Sequence, residues 1–109
     1  MPETTETPVL DLLQKMTADS IEASDLDQET LMLVRIAALV AVDAPPVSYM
    51  LNIGAASEVG IDAEKIRDVF AAIAPIVGTA KIASATGKIV RALGLALEME
   101  ELEEQGASA

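Results

Sequence analysis

One segment of the chain is apolar almost without interruption and limits what the chain can fold into. Residues 31–42 (LMLVRIAALVAV) contain a single charged side chain, Arg35. A helix that is apolar on nearly every face is buried from all sides, and this segment falls well short of the roughly 20 residues that span a bilayer. We therefore predict a buried helix over about 28–42. In a chain of 109 residues, we expect a neighbouring subunit to cover one of its sides.

The composition of the whole chain favours a core of closely packed helices. Apolar residues make up 51% of the chain, yet Tyr49 and Phe70 are its only aromatic residues. No segment alternates apolar and polar residues between turn signals as a strand does. We predict an all-α protein, a compact bundle of about five helices that assembles as a homo-oligomer.

Proline, glycine and capping residues predict where the helices begin and end. Asp27 and Asp62 are suited to cap the second and fourth helices, and Gly60 is suited to end the third. Pro75 is expected to end or kink the fourth helix. The predicted helices span 8–16, 28–42, 46–59, 63–77 and 80–102. In the last helix, we expect these side chains to face inward: Ile82, Ile89, Leu93, Leu97 and Leu102.

The acidic charge of the chain is concentrated at its two ends. The net charge is −11, and residues 1–30 carry eight acids and one base while residues 98–109 carry five acids and no base. Neither end is apolar enough to offset the entropy of ordering it. We predict a single helical domain over 8–103, with disordered segments at 1–7 and 104–109.

The residue types that the chain lacks narrow its chemistry. There is no Cys and no His, which excludes disulfides, thiol catalysis, imidazole acid–base chemistry and the usual zinc sites. The acidic balance argues against nucleic acid and anionic membranes, because both require clustered basic residues. The opening MPETTE lacks the features of a signal peptide. We expect a cytoplasmic protein with no metal, cofactor, nucleic-acid or membrane partner.

Four residues are candidates for a functional site: Arg35, Ser48, Tyr49 and Asn52. A buried guanidinium needs a partner, which is either a carboxylate, such as Asp43, Glu58 or one from a neighbouring subunit, or a small anionic ligand. Ser48 and Asn52 lie four residues apart on one helix face, next to Tyr49. No base at helical spacing activates Ser48 as a nucleophile.

A basic edge on the last helix is a weaker candidate. Lys81, Lys88 and Arg91 lie close together along this helix. Such an edge is typical of a solvated face or of a surface that meets an acidic neighbour, and an anion site is the remaining interpretation.

Two segments carry a family resemblance, LDQETLMLVRIAALVAV and NIGAASEVGIDAEKIRDVFAAIAPIVG. With Gly60, Ile66, Val69 and Gly78 at the expected places, residues 26–95 resemble the carboxymuconolactone decarboxylase family, which includes the AhpD-like alkylhydroperoxidases. The resemblance implies a helical homo-oligomer of three or six subunits, with its pocket near subunit contacts.

The resemblance also implies where the functional residues of the family would lie. Peroxidase-like members have Cys-x-x-Cys and then His, at positions that fall on Pro45, Ser48 and Asn52. Decarboxylase-like members keep the His at the position of Asn52, and the upstream Glu of the family falls near Leu33. The chain is therefore identified as a divergent member that lacks the catalytic Cys and His.

Two main classes of function stay open at this point, beside a third interpretation in which the chain is a small accessory subunit whose acidic ends dock on a basic partner. The first is a non-redox, non-catalytic member of the family that acts as an oligomeric binding or assembly protein. The second is a cofactor-free lyase or isomerase acting on a small carboxylate or lactone. In that enzyme Arg35 would hold the carboxylate, and Asn52 with Ser48 or Tyr49 would polarise a carbonyl.

Overall fold

The computed structural model describes residues 7–108, and the side chains at 96, 99, 100 and 103–108 are not among those described. Within these residues the chain forms five helices and no strand, which confirms the predicted all-α fold. The helices are α1 (Pro8–Ala23), α2 (Gln28–Ala41), α3 (Pro46–Glu58), α4 (Ala63–Val77) and α5 (Thr79–Ser108).

The predicted capping residues mark the helix ends. Asp27 accepts a hydrogen bond from the Thr30 backbone N–H at 2.8 Å, and Asp62 accepts one from the Lys65 backbone N–H at 3.0 Å. The hydrogen bond from Thr30 lowers the pKa of Asp27. Gly60 follows the end of α3 with φ +92°, a conformation that only glycine adopts without steric cost. The predicted starts of α2 and α4 and the end of α3 are confirmed.

The first helix is longer than the sequence indicated. It continues to Ala23, past the end that we predicted at Met16. The side chains of the added turns support the helix locally, since Lys15 and Asp19 form an ion pair of 2.8 Å one turn apart. Such pairs contribute a few tenths of a kcal/mol, about 0.2–0.5 kcal/mol, to a helix.

The last helix is also longer than predicted. It continues to Ser108 instead of ending at 102, so residues 104–108 are helical and not disordered as we expected. The Glu, Gln and Ala residues of this segment are good helix formers. The predicted disorder of residues 1–6 and of residue 109 lies outside the described residues.

Two apolar clusters along α2 form the core. Small side chains from neighbouring helices complete both clusters, which lets the helix axes approach closely. The first cluster contains Leu31, Met32, Ile36, Ala56 and Ile61. The second contains Val40, Ala44, Tyr49, Ala85 and Ala92, with Phe70 packed against it. The core thus lies where α3, α4 and α5 meet α2.

The far end of α5 extends beyond this core. Ile82 and Ile89 pack against the second cluster as predicted, but Leu93, Leu97 and Leu102 are 52%, 61% and 66% exposed. The prediction that these three leucines face inward is therefore wrong. A helix of 30 residues is about 45 Å long, and Leu97 and Leu102 lie in its exposed C-terminal half.

The first helix contributes nothing to the core. None of its residues is buried, although Val9, Leu12, Leu13 and Met16 are apolar and each is about half exposed or more. The radius of gyration is 16.0 Å, against roughly 13 Å for a compact chain of this length. None of the helices among residues 7–108 combines the length and apolar character needed to cross a membrane.

Candidate functional site

The first turns of α3 hold Ser48 and Asn52. Pro45 is the N-cap residue of this helix and Pro46 begins it. The Asn52 side-chain amide donates to the Ser48 backbone carbonyl at 2.8 Å. Both residues are half-buried. The positions that correspond to the Cys-x-x-Cys and His of the family therefore share one end of α3, and Asn52 hydrogen-bonds within its own helix.

Tyr49 lies in the core. Its side chain is fully buried in the second apolar cluster, and the phenol oxygen has no hydrogen-bond partner. Burial raises the pKa of Tyr49, and the negative charge of Asp43 raises it further. The phenol is therefore neutral at physiological pH and surrounded by apolar side chains.

Arg35 points towards α1. Its Nη2 atom donates to the Ser20 hydroxyl at 3.0 Å and lies 3.5 Å from the Thr17 carbonyl oxygen. Among the described residues Arg35 forms no ion pair. The guanidinium thus connects α2 to α1 through neutral groups, and neither carboxylate that we expected within the chain, Asp43 or Glu58, meets it.

The carboxylate of Asp43 instead faces α5. One of its oxygens accepts hydrogen bonds from the Ser84 hydroxyl at 2.7 Å and from the Lys88 ammonium at 2.9 Å. The hydrogen bond from Lys88 lowers the pKa of Asp43, and the bond from Ser84 adds to this effect. Asp43 has φ +55°, so these contacts hold the α2–α3 connection in an unusual backbone conformation.

Two lysines of the basic edge donate hydrogen bonds to backbone carbonyls at the C-terminal end of α2. Lys81 donates to the Ala41 carbonyl at 2.9 Å, and Lys88 donates to the Asp43 carbonyl at 3.2 Å. Carbonyls at a helix C-terminus lack partners within the helix and carry partial negative charge. We infer a stabilising role for these lysines. Sequence reasoning found their common edge but not this role, because the spacing within α5 does not say which helix end lies opposite.

Several surface clefts of about 210–450 Å³ are large enough for a small molecule, and the smallest and the largest of these differ in their lining. One of about 210 Å³ is lined mainly by apolar residues where α2 meets α3, among them Met32 and Val59. The other, of about 450 Å³, is more open and contains Arg91 and Glu98 beside Pro46. None of the four candidate residues lines either cleft. Among the described side chains no three acidic residues converge as a metal site would require.

The comparisons with known proteins give one positive finding. The model of the carboxymuconolactone decarboxylase family matches residues 7–89, a span that begins before α1 and ends within α5. Searches of curated proteins and of solved structures returned no match. The match covers well over half of the chain and includes α1, which the resemblance from residue 26 onward had left out. The chain belongs to the carboxymuconolactone decarboxylase family.

Proposed function

We propose that this chain is a non-redox, non-catalytic member of the family that acts as an oligomeric binding or assembly protein of three or six copies. The separation of the candidate residues carries the proposal. Arg35 is hydrogen-bonded to α1, Tyr49 is buried among apolar side chains, and Asn52 bonds to its own helix. Acid–base catalysis needs a group within hydrogen-bond reach of the proton that it moves, and these three do not converge on a common cleft.

The apolar surface supports the assembly part of the proposal. Large apolar side chains are exposed along α1, on α2 and at the far end of α5. Soluble monomers rarely expose contiguous apolar patches of more than a few hundred Å², about 300–600 Å² at most. A protein partner that covers this surface removes the cost of exposing it to water.

An activity assay tests the non-catalytic part of the proposal. Peroxide consumption with a dithiol donor, and decarboxylation or isomerisation of small lactones and carboxylates, are measured on the metal-free protein. We expect rates equal to the background without protein, and no response to thiol alkylation because the chain contains no cysteine. Turnover above background that follows the protein through purification would contradict the proposal.

One observation favours the second candidate function, a cofactor-free lyase or isomerase for a small carboxylate or lactone. Arg35 is half-buried and has only neutral partners among the described residues, so its charge is available to an anion. A screen of small carboxylates by thermal melting tests this function. A ligand that stabilises the wild type and the Arg35→Lys variant, but not Arg35→Met, would show an anion site at Arg35, and turnover of that ligand by the wild type would favour the enzyme.

A further inference from the structure

The exposed apolar side chains of α1 form a continuous stripe along one side of the helix. With about 3.6 residues per turn, residues spaced by three and four lie on the same side. Asp11, Lys15 and Glu22 fall on the other side. We define the α1 stripe as Val9, Leu12, Leu13 and Met16.

The second helix has an apolar surface on the side away from the core. Met32, Ile36 and Val40 are buried, and the residues two positions after each point almost in the opposite direction. Of these, Val34 is 53% exposed and Val42 is 72% exposed, and Ala38 between them is exposed as well. We define the α2 outer face as Val34, Ala38 and the C-cap residue Val42.

Arg35 makes the two surfaces neighbours. It follows Val34 directly, and its hydrogen bond to Ser20 connects the C-terminal part of α1 to α2. The α1 stripe lies N-terminal to this attachment point and remains exposed, as does the α2 outer face. The chain therefore carries an apolar ridge and an apolar surface side by side, and none of the side chains that the structure describes covers either of them.

From this arrangement, and on the basis of the proposed assembly function, we propose that the α1 stripe of one copy packs on the α2 outer face of a neighbouring copy. The ridge is made of large side chains, and the small Ala38 between two valines leaves room for one of them. Each copy supplies one ridge and one receiving face, so the contact is satisfied reciprocally in a pair or in turn around a ring.

Charge favours a second copy as the occupant. Each chain carries a net charge of −11, which opposes association if charged faces meet. Neither the α1 stripe nor the α2 outer face contains a charged residue. By helical spacing Asp11 and Glu22 lie on the opposite side of α1, and Asp19, at the edge of the stripe, is paired with Lys15. The two uncharged surfaces therefore allow two acidic chains to meet without placing carboxylates opposite one another.

The exposed apolar area of the two surfaces is also suitable for a contact between copies. Leu10 flanks the α1 stripe and is about half exposed. With it, the two surfaces offer on the order of several hundred Å² per copy, which approaches the ~800 Å² per partner that a stable interface buries.

Single cysteines test the contact directly, because the chain has none of its own. Leu13→Cys and Ala38→Cys variants, with different tags, are co-expressed and oxidised. Two cysteines form a disulfide only when their Cα atoms approach to within about 7 Å. We expect the mixed disulfide between the two variants to be the main cross-linked species. The matched control replaces Leu13→Cys by Ala18→Cys, on the polar side of α1 opposite Val9, and we expect loss of the mixed disulfide.

The outcomes separate this inference from the proposed function. An oligomer by light scattering that gives no Leu13–Ala38 disulfide, or that cross-links Leu13→Cys only to itself, would overturn the contact and leave the assembly function standing. A monomer by light scattering would overturn both. Circular dichroism of each variant checks folding, and a Leu12→Glu variant provides a second measurement. We expect it to stay helical and to lose mass in solution, and unchanged mass would overturn the contact.

Discussion

The helices α1 and α2 are both rich in apolar residues and of similar length, yet they have opposite environments. In α2, Ile36 and Val40 are fully buried, whereas α1 has no buried residue over its 16 positions. Helical spacing of apolar residues predicts which side chains share a face, but burial depends on what lies against that face. For α2 the same chain supplies the neighbours, and for α1 we infer that another chain does.

Shortening one apolar side chain in α2 and one in α1 is expected to give the largest difference in the free energy of unfolding. Ile36→Ala leaves a cavity in the first apolar cluster, and we expect it to lower the free energy of unfolding by about 2–5 kcal/mol. Urea unfolding at several protein concentrations measures this loss, which should be of similar size at each concentration.

The matched variant in α1 is Leu13→Ala. At a protein concentration low enough to dissociate the oligomer, we expect its effect to stay within about 0.5 kcal/mol, as for other surface positions. At high concentration the loss should grow, because the leucine is then covered by a neighbour. Equal losses for Leu13→Ala and Ile36→Ala at every concentration would show that α1 packs within its own chain.

Removing the hydrogen bond that connects α2 to α1 is expected to have a smaller effect on the free energy of unfolding. Arg35→Met removes the hydrogen bond to Ser20 and strands no carboxylate within the described chain, so we expect a loss of about 1 kcal/mol. The measurement is urea unfolding of the wild type, Arg35→Met and Ser20→Ala. A loss of about 3–5 kcal/mol for Arg35→Met alone would instead indicate a carboxylate from a neighbouring copy, because breaking a buried ion pair has that cost.

A substitution at Tyr49 tests the core through an expected gain of stability, in contrast to the losses above. Its hydroxyl is buried without a partner, so Tyr49→Phe should raise the free energy of unfolding by about 1 kcal/mol. Because the folded pKa is raised above the usual 10.0, the folded wild type disfavours phenolate. Its stability should fall as pH rises above about 10, and the variant should lack this component. A loss of stability in Tyr49→Phe would reveal a partner for the hydroxyl.

The smallest expected effect on stability comes from Asp43 in the α2–α3 connection. Since contacts with Lys88 and Ser84 lower the pKa of Asp43, its contribution to stability is present above the usual carboxyl pKa of 3.8 and is lost as pH falls through the folded value. Asn tolerates the same backbone conformation as Asp. In Asp43→Asn, the free energy of unfolding should therefore fall less steeply as the pH is lowered on the acid side. Lys88→Met is the matched control and should do the same. An unchanged pH dependence on the acid side in both variants would contradict this role.

Local signals in the sequence predicted local structure well. Asp27, Asp62 and Gly60 set helix ends through their own side chain or backbone, so their roles could be predicted from the sequence alone. The inward orientation of Leu93 and Leu97 was wrong because it assumed that the last helix lies against the bundle over its whole length. In the structure both leucines are more than half exposed, and Leu93 borders a surface cleft beside Met50 and Ser57 of α3 instead of packing into the core.

The candidate site was less predictable because it depends on contacts between helices. The sequence indicated that Arg35 needs a partner, but Ser20 and Thr17 are polar residues of ordinary type whose proximity follows only from the placement of α1. Likewise, Tyr49 stands next to Ser48 in the sequence, yet it points into the core on a different side of α3. Adjacency in the sequence therefore did not make a common site.

The mass of the protein in solution decides whether the chain assembles with other copies of itself. Light scattering coupled to size exclusion at micromolar concentration measures it directly, without labels or variants. We predict a mass several times that of the chain, 11.4 kDa, corresponding to three or six copies. A single species of about 11 kDa at the same concentration would contradict the proposed assembly, because the apolar surfaces of α1 and α2 would then be exposed to water.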